Sequence, residues 1–215
     1  MGFEKDLTPE KALIFRITHR RNLPWVLDNG IHCRSSAEQD AGFISIGNQD
    51  LIEGRKDRAV PVDRKGVLSD YIPFYFTPYS PMLLNIVTGR NVTQRPKSDI
   101  VILVSSLHKI HALGIRFLFT DRHAYLFNAT FTSDLGQLHN MVPWELLQAR
   151  DFRKDAEDPA KSERYQAEAL IHQHLPVGAL SGVVTYNDTI KAEVQALADE
   201  RQLELGIHSK PSWFF

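Results

Sequence analysis

DYIPFYFTPYSPMLLNIVTG, residues 70–89, is the stretch on which the fold turns. Its first half is aromatic and extended, with Pro73 and Pro78 bracketing it, which is strand chemistry rather than helix chemistry. Its second half reads as a helix. Ser80 is the N-cap, Pro81 has the backbone angle that a first helical position accepts, and Gly89 is the stop. Toward the C-terminus, DIVILVSS (99–106) is the clearest buried strand, SLHKIHALG (106–114) a helix ending at Gly114, and IRFLFTD (115–121) another strand. Toward the N-terminus, LIEGRKDRAV (51–60) is charged and helical, and residues 61–66 form a loop. Residues 34–48 are a polar loop, NLPWVLDNG (22–30) is a short helix closed by Gly30, and KALIFRIT (11–18) is a buried strand. Beyond residue 134 come a short helix, PWELLQAR (143–150), and a charged segment, DFRKDAEDPAKSER (151–164), expected as a mobile loop or solvated helix. The strand-like runs QAEALIHQHLP (166–176) and GVVTYN (182–187) follow, then an amphipathic helix, DTIKAEVQALADERQ (188–202), with Asp188 as its cap. Strands and helices mix without regular alternation, so the fold class is α+β rather than doubly wound. Neither a repeat nor a linker divides the chain, so residues 1–215 read as a single domain.

Hydrophobic residues make up 43% and charged residues 24% of the 215, which suits a soluble globular chain with a sizeable core. The formal net charge is -1, so contact with a polyanion has to come from a local patch. Cys33 is the single cysteine, which excludes an internal disulfide and a thiolate metal cage. The N-terminal run MGFEKDLTPEK lacks the apolar centre of a signal peptide, and no stretch approaches the ~20 apolar residues of a membrane span. A cytoplasmic location is the expectation.

The common phosphate-binding, nucleophile-elbow and zinc-protease motifs are absent. His108 and His111 share a helical face, and His172 and His174 would share a strand face. Neither pair has a third ligand at metal spacing, so no metal is expected. Glu168 lies between the charged segment and the apolar run Ala169–Leu170–Ile171. Composition alone makes it a solvated carboxylate, but a strand entered from a loop can also aim it rigidly into a cleft. The TDRH turn at 120–123 is equally a plain turn, capped by Thr120 or Asp121, or a site residue cluster after a strand. Arg55, Lys56, Arg58, Arg64 and Lys65 form the densest basic stretch, which on sequence alone is a solvated face.

Several segments together resemble the DarT family of DNA ADP-ribosyltransferase toxins. They are IFRITHRRNLPWVLDNGI (14–31), GRKDRAVP (54–61), GVLSDYIPFYFTPYSPML (66–83), FLFTDRHA (117–124) and YQAEALI (165–171), and their order and spacing match across nearly the whole chain. The YIPFYFxPxSPM segment and the TDRH turn are specific to that family. The resemblance implies an ADP-ribosyltransferase fold, a split mixed β core with helices around it that clamps NAD in a bent conformation. It implies Glu168 as the catalytic glutamate, with residues 151–164 as a substrate-recognition loop ahead of it. Arg55 matches an arginine near the reaction centre. Thr18, His19 and Asn22 match the NAD-binding first strand and turn, joined there by Arg16. His123 matches the TDRH histidine, and Tyr71, Tyr75 and Phe76 would line the nicotinamide pocket, core packing being the other reading for Phe74 and Phe76. Lys56, Arg58, Tyr79, Arg153 and Lys154 would meet DNA. Two positions depart from the family pattern: Arg16 stands where His is common, and Tyr79 replaces an Arg.

The resemblance therefore implies a toxin that transfers ADP-ribose from NAD onto a base of single-stranded DNA, thymine first and guanine as the alternative, releasing nicotinamide. It also implies a macrodomain-type antitoxin partner. An RNA-directed transferase of the same fold is a further alternative, as is a catalytically silent NAD- or nucleic-acid-binding module. Monomeric action away from membranes is the expectation.

Overall fold

A computed structural model describes residues 2–62 and 66–215; Arg64 and Lys65 of the basic stretch lie outside the described residues. In chain order the elements are β1 (Leu13–His19), α1 (Leu23–Asn29), β2 (Ile31–His32), α2 (Gln49–Gly54), β3 (Tyr71–Tyr75), α3 (Pro81–Thr88), β4 (Ile100–Ser106), α4 (Leu107–Ala112), β5 (Phe117–Thr120) and β6 (Phe131–Thr132). Then come α5 (Leu138–Met141), α6 (Trp144–Ala149), α7 (Lys161–Arg164), β7 (Glu168–His172), β8 (His174–Leu175), β9 (Gly182–Thr185), α8 (Asp188–Glu200) and β10 (Gly206–Ser209). An eight-stranded mixed sheet runs β10-β9-β4-β1-β3-β7-β5-β6, with β10 and β9 parallel and the other neighbours antiparallel. This is the expected α+β architecture.

The sheet is split at its middle. On one side β1 pairs with β4 along its whole length, from Leu13↔Ser106 to His19↔Ile100. On the other it meets β3 at one register pair, Phe15↔Tyr75. Past that point the strands diverge and leave a gap. Pro73 sits at the middle of β3, where it pairs with Leu170 of β7. A proline has no N–H to give and is tolerated only where a strand edge goes unpaired. The guanidinium of Arg16 crosses the gap instead, its Nη1 donating to the Pro73 carbonyl at 2.8 Å.

Local chemistry explains most of the elements. Ser80 Oγ accepts from Leu83 N–H and Gly89 takes a left-handed φ of 75°, so α3 starts and stops where its sequence says. Gly30 closes α1 at φ 77°, where an added Cβ would come within 2.5 Å of the Leu175 carbonyl. In α8, Ile190, Val194 and Ala198 recur one turn apart and are buried. Its cap is Asn187 rather than Asp188: the Asn187 side chain accepts from Ile190 N–H. The helix expected over 51–60 is α2, which stops at Gly54; beyond it Ala59 bridges to Val67. The charged GRKDR run offers no apolar face to carry a helix further. His172 and His174 do not share a strand face, because Gln173 adopts φ 59° and sends β8 away to pair with β2. Segment 151–164 is a loop ending in α7. It is laced by ion pairs of Arg153 and Lys161 with Asp151, Lys161 with Asp155, and Arg164 with Asp158.

Candidate active site

The gap between β1 and β3 is the mouth of a cavity of about 240 Å³. Arg16 and Thr18 line it from β1, Tyr71, Pro73 and Tyr75 from β3, and Glu168 from the first position of β7. Tyr75 and Glu168 are direct cross-strand neighbours. A covering wall comes from the loop 33–48 and the start of α2. That wall is held by Asn22, whose side-chain amide donates to the Ile44 carbonyl at 3.0 Å and accepts from Ile44 N–H at 2.9 Å. The same amide donates to Thr18 Oγ1, tying the wall to β1.

Glu168 is 2% exposed, so the solvated reading of this carboxylate is wrong. Its Oε1 accepts from Ala124 N–H at 3.0 Å and from Arg55 Nη1 at 3.2 Å, and the same nitrogen lies 3.0 Å from Oε2. Its backbone N–H donates to Thr120 Oγ1, so the TDRH turn positions the glutamate at both ends. Arg55 is the C-terminal cap of α2, and its side chain turns inward. Gly54 makes room for this arrangement: a Cβ there would sit 2.6 Å from the Tyr125 hydroxyl, so α2 and the turn after β5 abut directly.

The pair is incompletely satisfied. Arg55 Nη2 and Glu168 Oε2 are buried without a hydrogen-bond partner among the described residues. Buried polar atoms of a native protein are usually hydrogen-bonded, to protein, water or a bound group. Arg16 adds a second cation beside this pair. Burial and the neighbouring Arg55 charge lower its pKa to about 10, which still leaves it protonated at neutral pH. Two guanidiniums against one carboxylate leave surplus positive charge, so the cavity favours an anionic group such as a pyrophosphate.

His123 lines the cavity, its Nδ1 3.5 Å from Glu168 Oε1. Burial lowers its pKa; the Glu168 charge opposes this and Arg55 reinforces it. Burial thus favours the neutral ring. Nδ1 accepts from Tyr125 N–H at 3.2 Å, which assigns the proton to Nε2 and makes that nitrogen a donor. The Tyr75 hydroxyl is pushed up, first by burial and then by the Glu168 charge, so it too stays protonated and able to donate.

Of the residues singled out from sequence, Arg16, Thr18, Arg55, Tyr71, Tyr75, His123 and Glu168 come together around one cavity. The rest do not line it. His19 is buried at the end of β1, its Nε2 3.8 Å from Asp99, and Asn22 acts on the covering loop instead. Phe76 packs against Phe119 and Trp144 in the core. Tyr79 is buried beside the N-terminal segment under the Arg150 guanidinium, 3.6 Å from its ring centroid. Lys56 pairs with Glu53, Arg58 donates to the Leu126 carbonyl, Arg153 pairs with Asp151, and Lys154 is exposed. Sequence reading missed Arg34, Phe43 and Ile52 of the covering wall, which lay in what read as a featureless polar loop and the start of a charged helix.

The chain is similar to known proteins over nearly its whole length. The family model described as ssDNA thymidine ADP-ribosyltransferase, DarT, matches residues 15–215. A DNA ADP-ribosyl transferase of Escherichia coli O127:H6 is 47% identical over 99% of this chain and 98% of its own. The solved structure of Thermus sp. 2.9 DarT in complex with ADP-ribosylated ssDNA superposes with a TM-score of 0.85 at 31% identity, covering 96% of this chain and 98% of that one. The NAD+ complex of the same Thermus protein gives a TM-score of 0.80 at 30% identity, covering 96% and 99%.

Proposed function

Because this chain belongs to the DarT family of ssDNA thymidine ADP-ribosyltransferases, we propose that its split-sheet cavity binds NAD and delivers ADP-ribose to a thymine of single-stranded DNA, releasing nicotinamide. The observation that carries the reading is the buried Glu168–Arg55 ion pair lining the split-sheet cavity beside Arg16. Cleaving the nicotinamide–ribose bond sends its electron pair out with nicotinamide and builds positive charge on the ribose. The Glu168 carboxylate can hold a ribose hydroxyl and face that charge, which stabilises the transition state more than the ground state. The free arm of Arg55 is placed to hold a phosphate or the accepting base, and Arg16 adds the charge a pyrophosphate needs. Nε2–H of His123 and the Tyr75 hydroxyl supply neutral donors that orient the bound groups. The acceptor nitrogen of the base forms the new bond at the anomeric carbon and gives up its proton to solvent.

Single-stranded DNA suits both chemistry and charge. The acceptor nitrogen of thymine is blocked in a base pair, and extracting it from a duplex costs a few kcal/mol. A chain of net charge -1 has little to set against that cost. The family also suggests a toxin whose partner is a macrodomain-type antitoxin, and the modest net charge suggests a monomer. No helix among the described residues is long and apolar enough to cross a membrane. The test is incubation with labelled NAD and one oligonucleotide, single-stranded or annealed, with thymines and guanines replaced in turn. Label on the single strand that disappears when one thymine is replaced is the expected result. Equal labelling of the duplex, or dependence on guanine, would overturn the substrate assignment.

A further inference from the structure

Phe127 is 92% exposed, far more than any other large apolar side chain among the described residues. It stands at the tip of the turn that begins with TDRH, and that tip is firmly built. Leu126 N–H donates to the His123 carbonyl, Ala129 N–H to the Leu126 carbonyl, and Thr130 N–H to Asp121 Oδ1 at 2.8 Å. Arg58 reaches across to the tip, its Nη2 donating to the Leu126 carbonyl at 3.0 Å. The Arg58 guanidinium lies over one face of the Phe127 ring, 4.2 Å from the centroid, leaving the other face open to solvent. An aromatic ring held out on a braced tip, backed by a cation, contributes nothing to the core.

From these contacts we propose that the Phe127–Arg58 pair is a stacking platform for a DNA base flanking the acceptor. The inference rests on the assignment of single-stranded DNA as substrate and deepens it. Position supports it: Ala124, whose N–H holds Glu168, is three residues from Phe127. Consecutive Cα atoms are 3.8 Å apart, so the platform lies within about 11 Å of the residue that holds the glutamate. That is one or two nucleotides along a splayed strand. Chemistry supports it as well. An aromatic face accepts any base, and a guanidinium behind it adds positive charge for the backbone.

The test measures equilibrium binding of a fluorescent single-stranded oligonucleotide separately from modification. Phe127→Ala is expected to weaken oligonucleotide binding about tenfold. KM for NAD and the slow release of nicotinamide without DNA should stay unchanged. Phe127→Trp should bind at least as tightly as the parent protein. With an abasic site in place of the flanking base, parent and Phe127→Ala should bind alike. If Phe127→Ala binds the intact oligonucleotide as the parent does, or loses equally on intact and abasic strands, the platform does not exist. A parent protein that binds the strand through Phe127 but fails to modify it would uphold the platform and refute the transfer reaction instead.

Discussion

At the scale of single residues, the cavity depends on one carboxylate held between a backbone N–H and a guanidinium. Glu168→Gln keeps the shape and the acceptor for Ala124 N–H while removing the charge. DNA modification should fall on the order of 10²–10³-fold with folding intact, measured as turnover at saturating NAD alongside circular dichroism. Alanine is the poorer test, because it strands Arg55 as an unpaired buried charge, which costs about 3–5 kcal/mol of stability. Arg55→Ala should damage turnover far more than Arg16→Lys. Arg55 has a free arm at the reaction centre, whereas a lysine at 16 can still donate across the gap to the Pro73 carbonyl. Equal losses in the two variants would reverse these assignments. Glu168 and Arg55 were legible in the sequence only through the family motifs. Nothing in the local run of residues distinguishes an inward Arg55 from its outward neighbour Lys56.

At the scale of elements, the least legible part is the covering loop 33–48, whose position is set by a residue on another segment. Asn22 bonds both backbone groups of Ile44, a partner 22 positions away that no spacing rule exposes. Asn22→Ala removes both bonds. It should cost about 1–3 kcal/mol in chemical denaturation. It should also raise KM for NAD while leaving kcat nearly unchanged, since the wall loosens but Glu168 does not move. A drop in kcat with unchanged KM would place Asn22 in the chemistry instead. By contrast α3 was readable residue by residue, because Ser80, Pro81 and Gly89 each act within one turn of the chain. α2 was overestimated because its end depends on distant partners, the contact of Gly54 with Tyr125 and the inward turn of Arg55 toward Glu168.

For the molecule as a whole, two imidazoles, His19 and His123, contribute to the response to acid between pH 7 and 5. His19 and His123 both have pKa values below the ordinary 6.5, each chiefly through burial. Between its depressed value and 6.5 the folded state binds fewer protons than the unfolded chain. Stability is therefore highest above about pH 6.5 and declines as pH falls through that window. The melting temperature should drop between pH 7 and pH 5, and His123→Gln should flatten part of the slope. A melting temperature that is flat or rises on acidification would contradict the assignment. The α+β class was legible from the irregular order of strands and helices. The split was legible only through the family resemblance, and its one local sign, a proline in the middle of an aromatic strand, stands in the sequence at position 73.

That single pair, Phe15↔Tyr75, has a consequence for how the protein breathes. The β10-β9-β4-β1 and β3-β7-β5-β6 halves are each continuous ladders, joined in the sheet by one rung and the Arg16 strut. Amide deuteration should therefore be uneven across β1. The edge zipped to β4 should resist exchange up to global unfolding, while the edge facing the gap should open locally and take up deuterium sooner. A ligand that fills the cleft would act as the missing rungs, slowing exchange along that edge alone.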